Sequence, residues 1–265
     1  MLKASPRGYR NVRLVVFDLD GTLTESKAAI APDMVRMLEA LLLRKKVAVI
    51  GGGSYRQFRE QFVDALHVPR PLLANLFLFP TTSTRFYRYK GGWKLVYSKD
   101  LPAREKKRIR KAIKESLKEI RYVPPAKTYG KVIEDRGAQI TFSALGQDVV
   151  KVLGPVRGVA LKERWHKTSD IRDALIRALT KRLPEYAHEG GFTSVDITMR
   201  GIDKAYGVRQ IEKTLRIPIK DMVFIGDALF PGGNDAAAKK TGVRTIPTKG
   251  PKETKAIIAK ILEAA

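Results

Sequence analysis

The sequence predicts an α/β protein: a parallel Rossmann-like sheet core interrupted by an inserted α+β domain. Three observations carry this. Short apolar runs ending in acidic or glycine-rich turns stand near both ends of the chain. Amphipathic segments separate them. The middle of the chain loses that alternation and reads as hairpins and charged helices.

The elements follow in order. Leu14-Val-Val-Phe17 runs into Asp-Leu-Asp-Gly and reads as a buried parallel strand with carboxylates at its open end. Pro32 to Leu43 has Met34, Val35, Leu38, Leu41 and Leu42 at helical spacing. Val47-Ala-Val-Ile50 is a second strand, turning at Gly51-Gly-Gly-Ser54, and Tyr55 to Leu66 is helical. Phe86 to Tyr97 reads as a hairpin turning at Gly91-Gly92. Leu101 to Arg121 is a charged helix with Ile109, Ile113, Leu117 and Ile120 on one face. Val132-Ile133 and Gln139 to Phe142 read as strands about Gly137, Thr168 to Leu183 as a helix capped by Thr168, Ser169 or Asp170, and Phe192 to Met199 as a half-buried strand. The parallel pattern returns with a helix over Ala205 to Leu215, a strand Met222-Val-Phe-Ile225, a short helix, a strand near Val243 to Ile246 and a helix from Lys252 to Glu263. The expected division is a discontinuous core, 1–82 and 198–265, around an inserted domain, 83–197.

Composition narrows the class. The chain has 265 residues, 44% hydrophobic and 29% charged, which suits a soluble globular protein. The absence of cysteine excludes disulfides and thiolate metal sites and fits a cytoplasmic location. No apolar stretch approaches the ~20 residues of a membrane span, and no targeting segment is apparent. The net charge of +24 comes from 51 Lys and Arg against 27 Asp and Glu. It is scattered, so it reads as solvated helix faces and argues against nucleic acid as the partner. The run Arg104 to Lys111 keeps helical spacing and reads the same way.

Chemistry concentrates at predicted strand ends, where open α/β sheets bind ligands. Asp18 and Asp20 alternate at the end of the first strand, and Gly21 permits a sharp turn. Gly226-Asp227 ends a later strand and is followed by Asn234-Asp235. Carboxylates from two strand ends make an all-oxygen site suited to Mg²⁺. Lys204, at a helix start, can offset charge on a nucleophile and a transferring phosphoryl group. A carboxylate can attack phosphorus, and a second can protonate the leaving oxygen and then activate the acceptor.

Asp18-Leu-Asp-Gly-Thr-Leu-Thr24 resembles the first motif of the haloacid dehalogenase superfamily, and the branch with a large α/β cap inserted after the second motif. The chain is most similar to the eukaryotic-type phosphomannomutases. The similarity extends through Gly226-Asp-Ala-Leu-Phe-Pro-Gly-Gly-Asn-Asp235, Gly190-Gly-Phe-Thr-Ser-Val-Asp196, Gly201-Ile-Asp-Lys204 and Ile133-Glu-Asp-Arg136. The resemblance implies Asp18 as nucleophile, Asp20 as general acid/base and Lys204 as charge partner. It implies Mg²⁺ held by Asp18, the Asp20 carbonyl, Asp227 and Asp235, the last directly or in an outer shell. Gly52, Gly53, Ser54, Asn234 and Arg136 would bind phosphate, and Ser194 and Asp196 the sugar, under a closing cap. It allows a homodimer through the cap. Two departures stand out: the second motif reads Gly51-Gly-Gly-Ser54 with Ser54 slightly late, and Gln147 stands after Gly146 where the mutases carry an arginine. A weaker second phosphate site favours a phosphatase of small phosphorylated sugars. The alternatives are a hexose-phosphate mutase and, on the same scaffold, a non-catalytic basic binding protein.

Overall fold

In the computed structural model, which describes residues 6–25, 28–190 and 193–264, the apolar runs become strands. In chain order the elements are β1 (Leu14–Asp18), α1 (Pro32–Leu42), β2 (Lys46–Ile50), α2 (Tyr55–Gln61), β3 (Leu76–Phe79), β4 (Arg85–Tyr89) and β5 (Trp93–Ser98). There follow α3 (Ala103–Glu119), β6 (Ile133–Asp135), β7 (Gln139–Ser143), α4 (Val149–Thr168), α5 (Arg172–Arg182), β8 (Tyr186–Gly190) and β9 (Ser194–Met199). The chain ends with α6 (Lys204–Leu215), β10 (Met222–Gly226), β11 (Arg244–Pro247) and α7 (Pro251–Glu263). Gly191 and Phe192, part of the expected strand and of one motif, lie outside the described residues. Among the described residues, no helix is long and apolar enough to cross a membrane.

Two compact units result, Met1–Ser98 with Asp203–Ala265, and Lys99–Ile202. The first is a seven-stranded sheet in the order β11-β10-β1-β2-β3-β4-β5, parallel from β11 to β3. Strand alternation feeds two cores. Val15 and Phe17 join Met34 and Leu38 of α1 and Ile258 and Ile261 of α7 on one face. Leu14 and Val16 join Val208 and Ile211 of α6 on the other. From β1 the strand order runs outward both ways, so β1 and β10 flank a topological switch point, and their carboxyl ends open into a crevice there.

The hairpin β4–β5 belongs to this sheet, not to the insertion. Phe77 pairs with Arg88 and Leu78 with Tyr87, antiparallel. Phe86 stacks on Phe79 at 4.5 Å between ring centroids, and Tyr87 on Tyr55 at 3.8 Å. The polar texture near residue 80 therefore marks a sheet edge, where Leu95 and Val96 reach solvent. The core keeps residues 83–98, and the chain re-enters it at Asp203.

The second unit is an antiparallel sheet, β6-β7-β9-β8. Ile140, Phe142, Val195 and Ile197 pack with Ile109 and Ile113 of α3 and Leu175 and Leu179 of α5. Helix α5 begins after Ile171, and of the three expected caps Asp170 bonds the helix start, accepting the Arg172 N–H at 3.0 Å. Helix α4 and strand β8 have no counterpart in the sequence reading. α4 is kinked at Gly154 (φ 78°) before Pro155 and exposes Val152 and Val156, so its apolar residues follow no single stripe.

Phe86→Ala should destabilise the seven-stranded unit by about 3–5 kcal/mol, the usual cost of an emptied aromatic site. Denaturant unfolding followed near β1 reads this out. An unchanged midpoint for that unit would return the hairpin to the insertion.

Candidate active site

Strand β1 delivers Asp18, buried, at its carboxyl end. The chain then turns: Gly21 N–H donates to Thr24 O at 2.7 Å and Leu23 N–H to Leu19 O at 3.0 Å. Gly21 has φ 81°, and a Cβ there would lie 2.5 Å from Asp227 Oδ2, so only glycine fits. β10 delivers Asp227 one residue past its end, where Thr22 Oγ1 donates to Asp227 Oδ1 at 3.4 Å. Asp235 is fully buried and accepts the Ala228 N–H at 3.0 Å.

Lys204 opens α6, behind the N-cap Asp203, whose side chain accepts the Tyr206 N–H at 2.8 Å. A cation in the first turn opposes the helix dipole. Its position is explained by what it touches: the buried ammonium donates to both Asp18 Oδ1 and Asp235 Oδ1. Asp18, Asp227 and Asp235 each offer an oxygen within 4.8 Å of the others. Asp20 stands outside this set, half-buried, in a bridge with Thr24.

Three carboxyls face one ammonium. Burial pushes the Asp18 carboxyl well above the usual carboxylate range; Lys204 pulls it down, while Asp235 and Asp227 push it up. Asp227 reaches solvent but is flanked closely enough to lose hydration, and that loss and the Asp235 charge raise it too. Burial works against the Lys204 charge, but Asp18 and Asp235 outweigh it and raise its pKa. This all-oxygen donor set, short of positive charge, fits a hard divalent cation such as Mg²⁺.

The second motif is built as a helix start. Ser54 caps α2: its hydroxyl accepts the Gln57 N–H at 3.3 Å and its own N–H donates to Gln57 Oε1 at 2.7 Å. Gly52 and Gly53 are half-buried beside it, and Asn234 is exposed. Beneath this loop lies a feature sequence reasoning missed. Thr81, Thr82 and Ser83 have φ of 50°, 51° and 67°, a left-handed turn without glycine. Thr81 N–H donates to Gly53 O at 2.8 Å and Thr82 N–H to Gly51 O at 3.0 Å. The buried Ser83 Oγ sits where a Cβ on Gly207 of α6 would fall. One strained turn thus braces the Gly51–Gly53 loop and the helix carrying Lys204. The run Pro80-Thr-Thr-Ser-Thr84 contains no residue that signals positive φ.

In the second unit, Arg136 is buried between partners: its Nε donates to Glu134 Oε2 at 2.8 Å and its Nη2 to Gln147 Oε1 at 2.9 Å. Asp196 accepts the Thr141 hydroxyl at 2.6 Å, and Ser194 opens β9, half-buried.

Residues 34–264 match the sequence profile of the eukaryotic phosphomannomutases. The chain belongs to that family. A probable phosphomannomutase of Caenorhabditis elegans is 26% identical over 271 residues, covering 98% of each chain, and so spans Asp18 and Asp20, which precede the profile match. Human phosphomannomutase 1 is 27% identical over 233 residues, 84% of this chain and 81% of that one. Among solved structures, N-terminally truncated, IMP-bound Plasmodium falciparum IMP-nucleotidase superposes with a TM-score of 0.68 at 17% identity, over 95% of this chain and 68% of that one. Aspergillus fumigatus trehalose-6-phosphate phosphatase gives 0.53 at 16% identity, over 97% and 96%. These two likenesses concern the fold, a haloacid dehalogenase core bearing an insertion.

Two outcomes follow from this geometry. Millimolar Mg²⁺ should raise the melting temperature, and more so at higher pH, because protons held by Asp18 and Asp227 must leave for a cation to enter. A concentration of about 100 times Kd corresponds to about 2.7 kcal/mol. Differential scanning fluorimetry from pH 5.5 to 8 reads this, and Asp235→Asn should blunt it; an increment that shrinks as pH rises would remove the carboxylates from the cation site. Gly207→Ala should press α6 against Ser83 Oγ and Ile50 Cδ1 (3.0 Å). On a phosphorylated substrate we expect kcat to fall about tenfold with KM little changed, since misplaced groups lose rate before affinity. Adding Ser83→Gly should restore much of it. Failure of that rescue would mean Gly207 acts elsewhere.

Proposed function

We propose that the chain is a Mg²⁺-dependent phosphatase of small phosphorylated sugars that works through an aspartyl phosphate on Asp18. The observation that carries hydrolysis over isomerisation is the state of Arg136. Its charge is already offset by the buried Glu134, and Gln147 holds its second edge. A mutase must grip a second phosphate, and a guanidinium already engaged by a carboxylate grips it weakly.

In this reading Asp18 Oδ attacks phosphorus. The bond from phosphorus to the sugar oxygen breaks as Asp20 gives that oxygen a proton. The freed sugar leaves. Asp20 then takes a proton from water, whose oxygen attacks the phosphorus and releases phosphate and the Asp18 carboxylate. Lys204 holds Asp18 aimed and offsets its charge as the anionic group approaches. When bound, Mg²⁺ would polarise the phosphoryl oxygens and screen them from Asp18; the oxygens of Asp18, Asp227 and Asp235 would hold it. Gly52, Gly53 and Asn234 are proposed phosphate contacts of the core. Ser194 and Asp196 are the proposed sugar contacts of the insertion. The competing reading, a hexose-phosphate mutase, is favoured by family membership.

Asp18→Asn should abolish turnover with circular dichroism unchanged, because an amide cannot attack phosphorus; near wild-type turnover would dismiss the nucleophile. On mannose and glucose phosphates with a sugar bisphosphate present, phosphate released should exceed isomer formed, and Gln147→Arg should shift the ratio toward isomer. Isomer dominating in the wild type would make the chain a mutase.

A further inference from the structure

The seven-stranded unit carries a second concavity at the other end of its strands. Arg10, Arg13, Arg44, Lys45 and Lys46 line a cleft of about 620 Å³ where the chain enters β1 and β2, and Asp221, just before β10, supplies its single carboxylate. Five of eleven lining residues are Lys or Arg, against 51 of 265 in the whole chain, so the cleft is more than twofold enriched over a sequence already basic.

The scaffold under these charges is fixed. Arg13 N–H donates to Asp221 O at 2.8 Å and Lys46 N–H to Arg13 O at 3.1 Å, extending the ladder of β10, β1 and β2 by one step. The counter-charge is thin. Asp221 meets Arg13 only at 3.7 Å, with the guanidinium side chain 59% exposed. Arg44 donates to a neutral carbonyl, Leu262 O, at 3.4 Å. Among the described residues, Arg10, Lys45 and Lys46 have no carboxylate partner. Burial lowers the Lys45 ammonium's pKa, the mark of a cation drawn partly out of water without an anion to receive it.

We propose that this cleft is an anion-binding site, separate from the catalytic centre, for a compact ligand bearing two or more adjacent phosphoryl groups. Its volume lies in the range of small-molecule sites. Its cations converge on a concavity from two segments, which suits a compact charge rather than an extended polymer. The guanidinium forks of Arg10 and Arg13 can bind phosphoryl oxygens in pairs. Asp18 ends the strand that Arg13 precedes, about 16 Å away at about 3.3 Å per residue, so one ligand does not serve both sites. The basic run on α3 is a poorer candidate, because Lys106 and Arg110 both meet Asp135 at 3.2 Å and Arg108 meets Glu105 and Glu185.

Isothermal titration of the full chain with inorganic tripolyphosphate, in chelator, tests this. We expect one-site binding that Asp18→Asn leaves unchanged. The pair Arg10→Glu with Lys46→Glu should weaken it about tenfold or more. The pair Lys107→Glu with Lys114→Glu, on α3, makes the same change in net charge and should alter it less than twofold. Should the first pair fail to fold by circular dichroism, Lys45→Gln decides, with a loss of about threefold expected. Equal losses in the two charge-reversed pairs, an unchanged affinity in Lys45→Gln, or no heat in the wild type would each overturn the proposal.

Discussion

Everything at the carboxyl end of the sheet depends on one buried ammonium. Adjacent parallel strands bring Asp18 and Asp227 to the same edge, and Asp235 folds back beneath them. Anions this close cannot all stay ionised in a site removed from water. Lys204 ties two of them together and in doing so sets where α6 begins. Removing one partner from a buried charge pair commonly costs about 3–5 kcal/mol, since the other is left uncompensated. The ammonium therefore acts as a structural rivet as well as a charge, and Gly21 and Gly207 are the clearances that let its surroundings close.

Much of this was legible in the sequence because buried parallel strands write themselves as apolar runs. Leu14–Phe17 and Met222–Ile225 could be read as strands, and the carboxylates that follow them could be placed at one edge without knowing the register. Lys204 is harder to read, since one lysine at a helix start is ordinarily solvated; its place after the Asp196 strand and the resemblance of Gly201-Ile-Asp-Lys204 to the mutases mark it. The resemblance puts Asp235 beside the expected cation, and its direct bond to Lys204 is a tertiary fact that no local pattern encodes.

What the sequence hid has physical reasons. The β4–β5 hairpin looks foreign to the core because it runs antiparallel and ends in the edge strand β5, which has one neighbour and tolerates solvent, so it lacks the unbroken apolar run of β1 and β2. Helix α4 leaves no apolar stripe to read because its kink at Gly154 sets off the first turn, and the longer remainder buries Gly158, Lys162 and Trp165, a face with a single large apolar residue. The turn Thr81–Ser83 was invisible because its left-handed backbone is imposed by its surroundings, by two carbonyls of the glycine loop and by the close approach of α6, against the preference of its own side chains. Ser54 looked like a displaced phosphate ligand, yet its spacing to Gln57 is also that of a capping box.

The interruption of the core by residues 99–202 has a consequence for how the protein is made. Val15 pairs with Val223, roughly 200 residues further along, and at about 5–20 residues per second synthesis of that interval takes on the order of 10–40 s. Through that wait β1 has β2 on one side and no neighbour on the other, while the intervening unit, whose contacts are all closer in sequence, can complete itself. Lys204 and β10 reach Asp18 only after the intervening unit has been synthesised. The carboxyl cluster at the end of β1 thus stays incomplete until β10 has been made, and an unpaired apolar strand edge stays open for as long.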